Sequence, residues 1–224
     1  MTIRIRGSLR STASAGGVLL TLVALTLPAA ADIRATTNIH NYHVVGSTSD
    51  SLVAYLRSNP FHGPKGPALA NIRPTYALNV ETREAYGMCS PANVTLNLTF
   101  DMTLPKASEA TMGADTQYAW RTFVNFARKH EETHRAIYLD CARTFLSEAA
   151  KLSTSGCESL KAQAAQLLAA ENRACDLRQQ AFDAKDGPRV LGLALFKSIG
   201  GGLPVEASAA PIGGATPSYS LQTR

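Results

Sequence analysis

Residues 115–152 read DTQYAWRTFVNFARKHEETHRAIYLDCARTFLSEAAKL, with no proline or glycine among them. Trp120, Phe123, Ala127, His130, His134, Ile137, Cys141 and Phe145 recur at spacings of three and four, the period of a helix with one buried face. The stretch predicts a single helix from about Asp115 to Leu152 with both histidines turned inward. At 3.6 residues per turn, positions i and i+4 stack one above the other. His130 and His134 therefore aim at one point, and Glu131 lies beside them. His130-Glu131-Glu132-Thr133-His134 is the HExxH arrangement, in which two neutral imidazoles hold a zinc ion (Zn2+) and the glutamate polarises a water on it. The expected roles are metal ligands for His130 and His134, general base for Glu131 and a solvated helix charge for Glu132. Buried histidines satisfied by hydrogen bonds are the competing reading, which suits one inward histidine better than two at this spacing.

A catalytic zinc needs a third protein ligand. A sharp bend after the motif would require glycine at position 137. The residue is Ile137, so the helix continues and Asp140 turns away from the metal face. Ser153-Thr154-Ser155-Gly156 breaks the helix, and a second is predicted from about Cys157 to Lys185, closed by Gly187-Pro188. In a simple α-hairpin the two histidines lie level with about residues 174–178, and Cys141 and Cys175 are not level. Glu171 is near that height, on the side of Leu160, Leu167 and Phe182, where an unpaired acid would be costly. Asp176 and Asp183 point away from that side. Upstream, His40, His43 and His62 remain possible ligands. Tyr138, one turn past His134, and Tyr42 or His43 are candidate donors to an oxyanion.

Ahead of the helices the pattern changes to strands. Ile33 to Gly46 reads as a strand, with Tyr42 and Val44 on one face and His43 and Val45 on the other. A short helix follows, capped by Ser47 or Thr48, with Leu52, Val53 and Leu56 inward and Asn59-Pro60 as its stop. Four prolines and two glycines between Pro60 and Pro74 predict a surface loop. Tyr76, Leu78 and Val80 form a second strand. After turn residues Gly87 to Pro91, the alternation Val94, Leu96, Leu98, Phe100, Met102, Leu104 forms a third, with one face buried and one wet, ending at Pro105. The result is an α+β domain of order β-α-β-β-α-α, with a three-stranded antiparallel sheet and a long helical hairpin carrying the motif.

The first 31 residues have the make-up of a secretory signal: Arg4, Arg6 and Arg10, an apolar run from Gly17 to Leu27, and Pro28-Ala29-Ala30-Ala31 as a cleavage site. The run is too short for a membrane span, and no cysteine follows to accept a lipid. Cutting after Ala31 removes three Arg and no acid, taking the formal charge of +5 to about +2, which leaves no nucleic-acid footprint. Cys89, Cys141, Cys157 and Cys175 all follow the signal. An even count without a CxxC spacing favours two disulfides, with three connectivities open. The expected organisation is a signal peptide over 1–31, one domain over 32–187, and a Gly/Pro/Ala/Ser-rich tail over 188–224, poorly ordered past an apolar patch from Val190 to Phe196.

Taken in order, Tyr42-x-Val44-x-Gly46-x-Thr48 with Leu52 and Leu56, Gly63-Pro64, Leu104-Pro105, Trp120 and the HExxH motif resemble a bacterial domain-of-unknown-function family catalogued as predicted secreted zinc-dependent proteases. The resemblance spans about residues 38–186. It implies an exported, periplasmic or secreted metallopeptidase acting on a protein or peptide substrate, with His130 and His134 as ligands and Glu131 as base. In that family the second helix tends to end in Tyr-Asp, followed by Thr and His-Gly. Phe182-Asp183 matches the start and no histidine follows, which raises Asp183 beside Glu171 as the third ligand. The alternative is a non-catalytic periplasmic binding module that keeps the fold with a structural or incomplete metal site.

Overall fold

Strand β5 (Met88–Lys106) is the centre of the sheet, and its alternation shows why. Val94, Leu96, Leu98, Phe100, Met102 and Leu104 are at most 2 % exposed and face the helices. The computed structural model describes residues 30–63, 66–197 and 219–221; of the signal expected over 1–31, residues 1–29 lie outside the described residues, and so do 198–218 and 222–224 of the tail expected over 188–224. β4 (Asn71–Ala85) pairs antiparallel with β5 through the two-residue turn Tyr86-Gly87, whose φ angles of 54° and 72° are those of a type I′ hairpin. On the other side of β5, β1 (Ala30–His43) runs parallel to it over its whole length.

The sheet is thus mixed, where an antiparallel one was expected. A hairpin turn encodes the β4–β5 pairing locally, whereas nothing near β1 specifies its partner or direction. After β1, a Cβ at Gly46 would lie 2.7 Å from the backbone nitrogen of Leu52, so this turn needs glycine. Helix α1 (Ser49–Ser58) then starts on a capping box between Thr48 and Ser51. The Pro/Gly-rich stretch is not simply a loop. It holds a small hairpin, β2 (Phe61–Gly63) with β3 (Gly66–Ala68), and β4 already begins at Asn71.

Helix α2 (Ala114–Ala149) packs on two apolar clusters. Its C-terminal half places Ala142, Phe145, Leu146 and Ala149 against the sheet, together with Ala164 and Leu168 of α3 (Cys157–Asp186). Its N-terminal half places Trp120, Phe123 and Ala127 against Leu52, Val53 and Leu56 of α1. Leu195 and Phe196 of α4 (Ala194–Lys197), which follows a 3-10 turn over Gly187–Gly192, complete that second cluster. The packed core therefore extends past residue 187. Residues 130–134 lie between the two clusters, with His130 and His134 facing α3.

The disulfides are Cys89–Cys157 and Cys141–Cys175. In a tight hairpin Cys141 and Cys175 would be out of level; the linker explains why they meet. Residues 150–156 do not turn back at once. Thr154 pairs with Cys89 through two backbone hydrogen bonds of 2.6 and 2.9 Å, and Cys157 at the next bend is bonded to that same cysteine. The start of α3 is carried past the end of α2, offsetting it by roughly two turns from a tight hairpin. Its buried face runs Leu160, Ala164, Leu168, Asn172, Cys175, Gln179 and Asp186, not the Leu160, Leu167, Glu171 and Phe182 line. At the sheet's far edge a three-residue strand, β6 (Tyr219–Leu221), lies parallel to β4.

Because Cys141–Cys175 closes a loop of 34 residues, replacing both by Ala is expected to lower the unfolding free energy by about 3–4 kcal/mol in denaturant titration. A loss below about 1 kcal/mol would mean that packing alone sets the register.

Candidate metal centre

Three donor atoms converge where the middle of α2 meets the end of α3. His130 Nε2 and His134 Nε2 are 3.0 Å apart, and Asp183 Oδ1 is 3.1 Å from the first and 2.8 Å from the second. The protonation of each ring follows from its other nitrogen. Gln179 donates its amide nitrogen to the backbone carbonyl of His134 (3.1 Å), a group that only accepts. Its other end must then be the oxygen, which accepts from His134 Nδ1 at 2.6 Å. His130 Nδ1 donates to the Asp186 carboxylate at 3.0 Å, and Asp186 is in turn held by Arg189. With both protons on Nδ1, both Nε2 lone pairs point at each other and at a carboxylate oxygen.

Such an arrangement demands a cation. Without one, a proton must occupy the gap. The molecule's own electrostatics show this. Burial is the largest influence on His130 and pulls its pKa down, but hydrogen bonds to Asp183 and Asp186 outweigh it and leave the ring more basic than usual. Asp183 is likewise pushed up by burial and pulled further down by the two histidines, well below the usual carboxylate range. With a divalent ion the geometry also fits. In a tetrahedral zinc site with bonds near 2.0–2.1 Å, neighbouring ligands stand about 3.3 Å apart, close to the separations here. His130, His134 and Asp183 can thus hold a metal ion. Asp183's side chain is 40 % exposed against 16 % and 11 % for the histidines, so the cluster opens on the Asp183 side.

Glu131 is 4 % exposed. Its carboxylate accepts the backbone N–H of Ile72 on β4, and burial pushes its pKa up to about 7 against the pull of the two histidines. Tyr138 packs against Phe100, and burial, followed by the charges of Asp176, Asp183 and Glu131, raises the pKa of its hydroxyl. The other candidates lie elsewhere. Glu171 is about three turns earlier on α3. Tyr42 stacks on Phe61 and donates to the carbonyl of Leu69. His43 and His62 are exposed, and His40 lies 3.4 Å from Asp101. Asp140 pairs with Arg178 and Arg143 on the surface.

Gln179, Asp186 and Arg189 escaped the sequence reading. One signal was available: Gln179, Asp183 and Asp186 are spaced four and three on α3, a polar stripe on one helix face. Phe182 also belongs here, with its ring 4.8 Å from that of His130 and 4.9 Å from that of His134. The sequence model of a bacterial family, described as "Bacterial protein of unknown function (DUF922)", matches residues 39–189. No curated protein and no solved structure matches the chain.

Two outcomes follow from this geometry. A metal-ligating His depends on the partner of its other nitrogen, so Gln179→Leu and Asp186→Asn should each weaken metal affinity about 10–100-fold in calorimetric titration. The second concerns pH. Glu131 binds its proton more tightly folded than unfolded, so its contribution to stability is full below its ordinary pKa of 4.5 and is lost as pH rises towards about 7. His130, also raised, acts in the same direction. Metal-free wild type should therefore lose stability relative to Glu131→Gln, by an order of 3 kcal/mol, as pH is raised through this window. A constant difference between the two proteins would show that Glu131 is solvated.

Proposed function

The chain belongs to this bacterial family of unknown function, whose description assigns no chemistry, and we propose that it is an exported zinc metallopeptidase cleaving peptide bonds. One observation carries the reading: two imidazole nitrogens and a carboxylate oxygen meet within 3.1 Å, with a buried glutamate beside them. His130, His134 and Asp183 would hold the ion and leave a fourth position open on the exposed side. A zinc ion bound there supplies Lewis acidity, which lowers the pKa of water and polarises a carbonyl.

The chain's own residues do the rest. Glu131 accepts the proton of the attacking water and passes it to the departing amine. Gln179 and Asp186 fix the two rings so that neither rotates during turnover. The two disulfides fit an oxidising compartment outside the cytosol, and among the described residues no helix is long and apolar enough to cross a membrane. Together with a signal cut after Ala31, these support export of a domain that packs through Phe196. The substrate class, a protein or peptide, comes from the motif.

Purified mature protein is expected to contain one equivalent of zinc by metal analysis and to degrade an unfolded protein, with activity lost to a chelator and restored by zinc. Glu131→Gln should keep the metal and lose at least about 100-fold in rate, while His134→Ala should lose the metal itself. Zinc retained without turnover in the wild type would point to a non-catalytic module instead.

A further inference from the structure

Helix α2 borders a long groove on the side turned away from the metal cluster. It runs antiparallel alongside β1 and meets it at three points. Asn41 shares a cleft of about 390 Å³ with Trp120, Arg121, Val124 and Asn125. Arg135 Nε donates to Thr37 Oγ1 at 2.9 Å, and Ile33 shares a cleft of about 620 Å³ with Arg143, Leu146 and Ala150. Side chains alternate along a strand, so Ile33, Thr37, Ile39 and Asn41 point to this same side of the sheet. Ile39 is 51 % exposed there, which leaves an open apolar floor between the two clefts. Arg128 stands two positions before His130, about 200° around a helix, so the groove and the histidines are on opposite faces of α2.

The wall of this groove is cationic. Arg121, Arg128 and Arg135 recur every seven residues, two turns apart on one face. Glu109 pairs with Arg121. Among the described residues, Lys106 at the lip of the first cleft and Arg128 have no ion pair, and Arg135 is held by the neutral Thr37 hydroxyl and the face of Phe100. Against these three charges stands Glu132, one turn past Arg128. An unmet row of cations over an apolar floor is complementary to an acidic, amphipathic partner. The spacing chooses the partner's form. Seven residues of α2 rise about 10.5 Å, the distance at which a second helix repeats a face every two turns, whereas a strand repeats a face at about 6.8 Å. A planar membrane surface does not enter a concave groove, and a bare polyanion would leave Ile39 in water. We propose that the groove between α2 and β1 binds an acidic amphipathic helix of another polypeptide, its apolar stripe on Ile39 and its carboxylates on Lys106, Arg128 and Arg135. Guanidinium–carboxylate pairs fix its register, and burial of its apolar stripe holds it in the groove. Binding here does not depend on the peptidase reading, because the groove is remote from the open side of the metal cluster.

The probe is a fluorescein-labelled peptide repeating Glu-Ile-Ala-Ala-Leu-Glu-Glu over about 21 residues, whose like charges keep it from pairing with itself. Its anisotropy is followed with the mature protein. It is expected to bind, and to bind less as salt is raised. The same repeat with lysine in place of glutamate should bind at least about tenfold more weakly. Arg128→Glu together with Lys106→Glu should reduce affinity for the acidic peptide at least about tenfold, and Ile39→Ser several-fold. Arg173→Glu, on the exposed side of α3, should leave it unchanged. All four positions are exposed or half-buried, so the variants should unfold at the wild-type midpoint. No binding, equal affinity for the lysine peptide, or an equal loss in Arg173→Glu overturns the proposal. So does undiminished binding of a repeat with serine in place of isoleucine and leucine, which would make the groove a polyanion site. Displacement of the peptide by phosphatidylglycerol vesicles would make it a membrane site and overturns the proposal equally.

Discussion

The convergence of His130 Nε2, His134 Nε2 and Asp183 Oδ1 is the constraint from which the rest of this molecule can be understood. Three lone pairs at about hydrogen-bond distance repel unless something positive sits among them. Everything around the cluster either forces the atoms together or removes the alternatives. Gln179 and Asp186 stop the rings from turning away. Phe182 stacks on one ring and meets the other edge-on, so the space that a rotated imidazole would need is filled. A protein interior is close-packed, and such a geometry relaxes only if the helices move.

The helices are prevented from moving by what lies on either side. Polar residues facing inward, among them His134, Asn172, Gln179 and Asp186, interrupt the buried surface between α2 and α3, and on their own they would weaken the contact. The apolar material is placed beyond them. One cluster grips the C-terminal half of α2 through Phe145, and the other grips its N-terminal half through Trp120 and Phe123. The middle is thus suspended between two packed regions. Cys141–Cys175 crosses from α2 to α3 two turns beyond His134, and Cys89–Cys157 anchors the start of α3 to the sheet. Between them they set the height at which Asp183 meets the histidines.

That height is the part the sequence could not yield. The helix carrying His130-Glu131-Glu132-Thr133-His134, the β5 strand and the Thr48 cap are written in local periodicity and capping chemistry, and each is found within a few residues of its expected place. The offset of α3 is not local. It depends on a linker that runs out to pair Thr154 with Cys89, a residue 65 positions earlier. A tight hairpin brings Glu171 towards the histidines; the extended linker replaces it with Asp183. The same offset makes Cys141 and Cys175 level. The direction of β1 escaped for the same kind of reason, since a strand's own alternation says which face is buried and nothing about which way its neighbour runs.

The two histidines are held by unlike partners, and this difference orders the chemistry of the empty cluster. His134 leans on Gln179, a neutral amide that brings no charge. His130 leans on Asp186, whose negative charge is offset by Arg189, while both rings meet Asp183 on Nε2. A proton in the gap is therefore best placed on His130, whose pKa is raised by those two carboxylates. An arriving divalent ion must displace that proton and then sits against Asp183, already ionised and held well below the ordinary carboxylate range. Metal uptake is thus coupled to release of the proton held in the gap, and affinity should grow with pH until that proton is gone. The site is preorganised in its heavy atoms, and the proton is the only thing that has to leave.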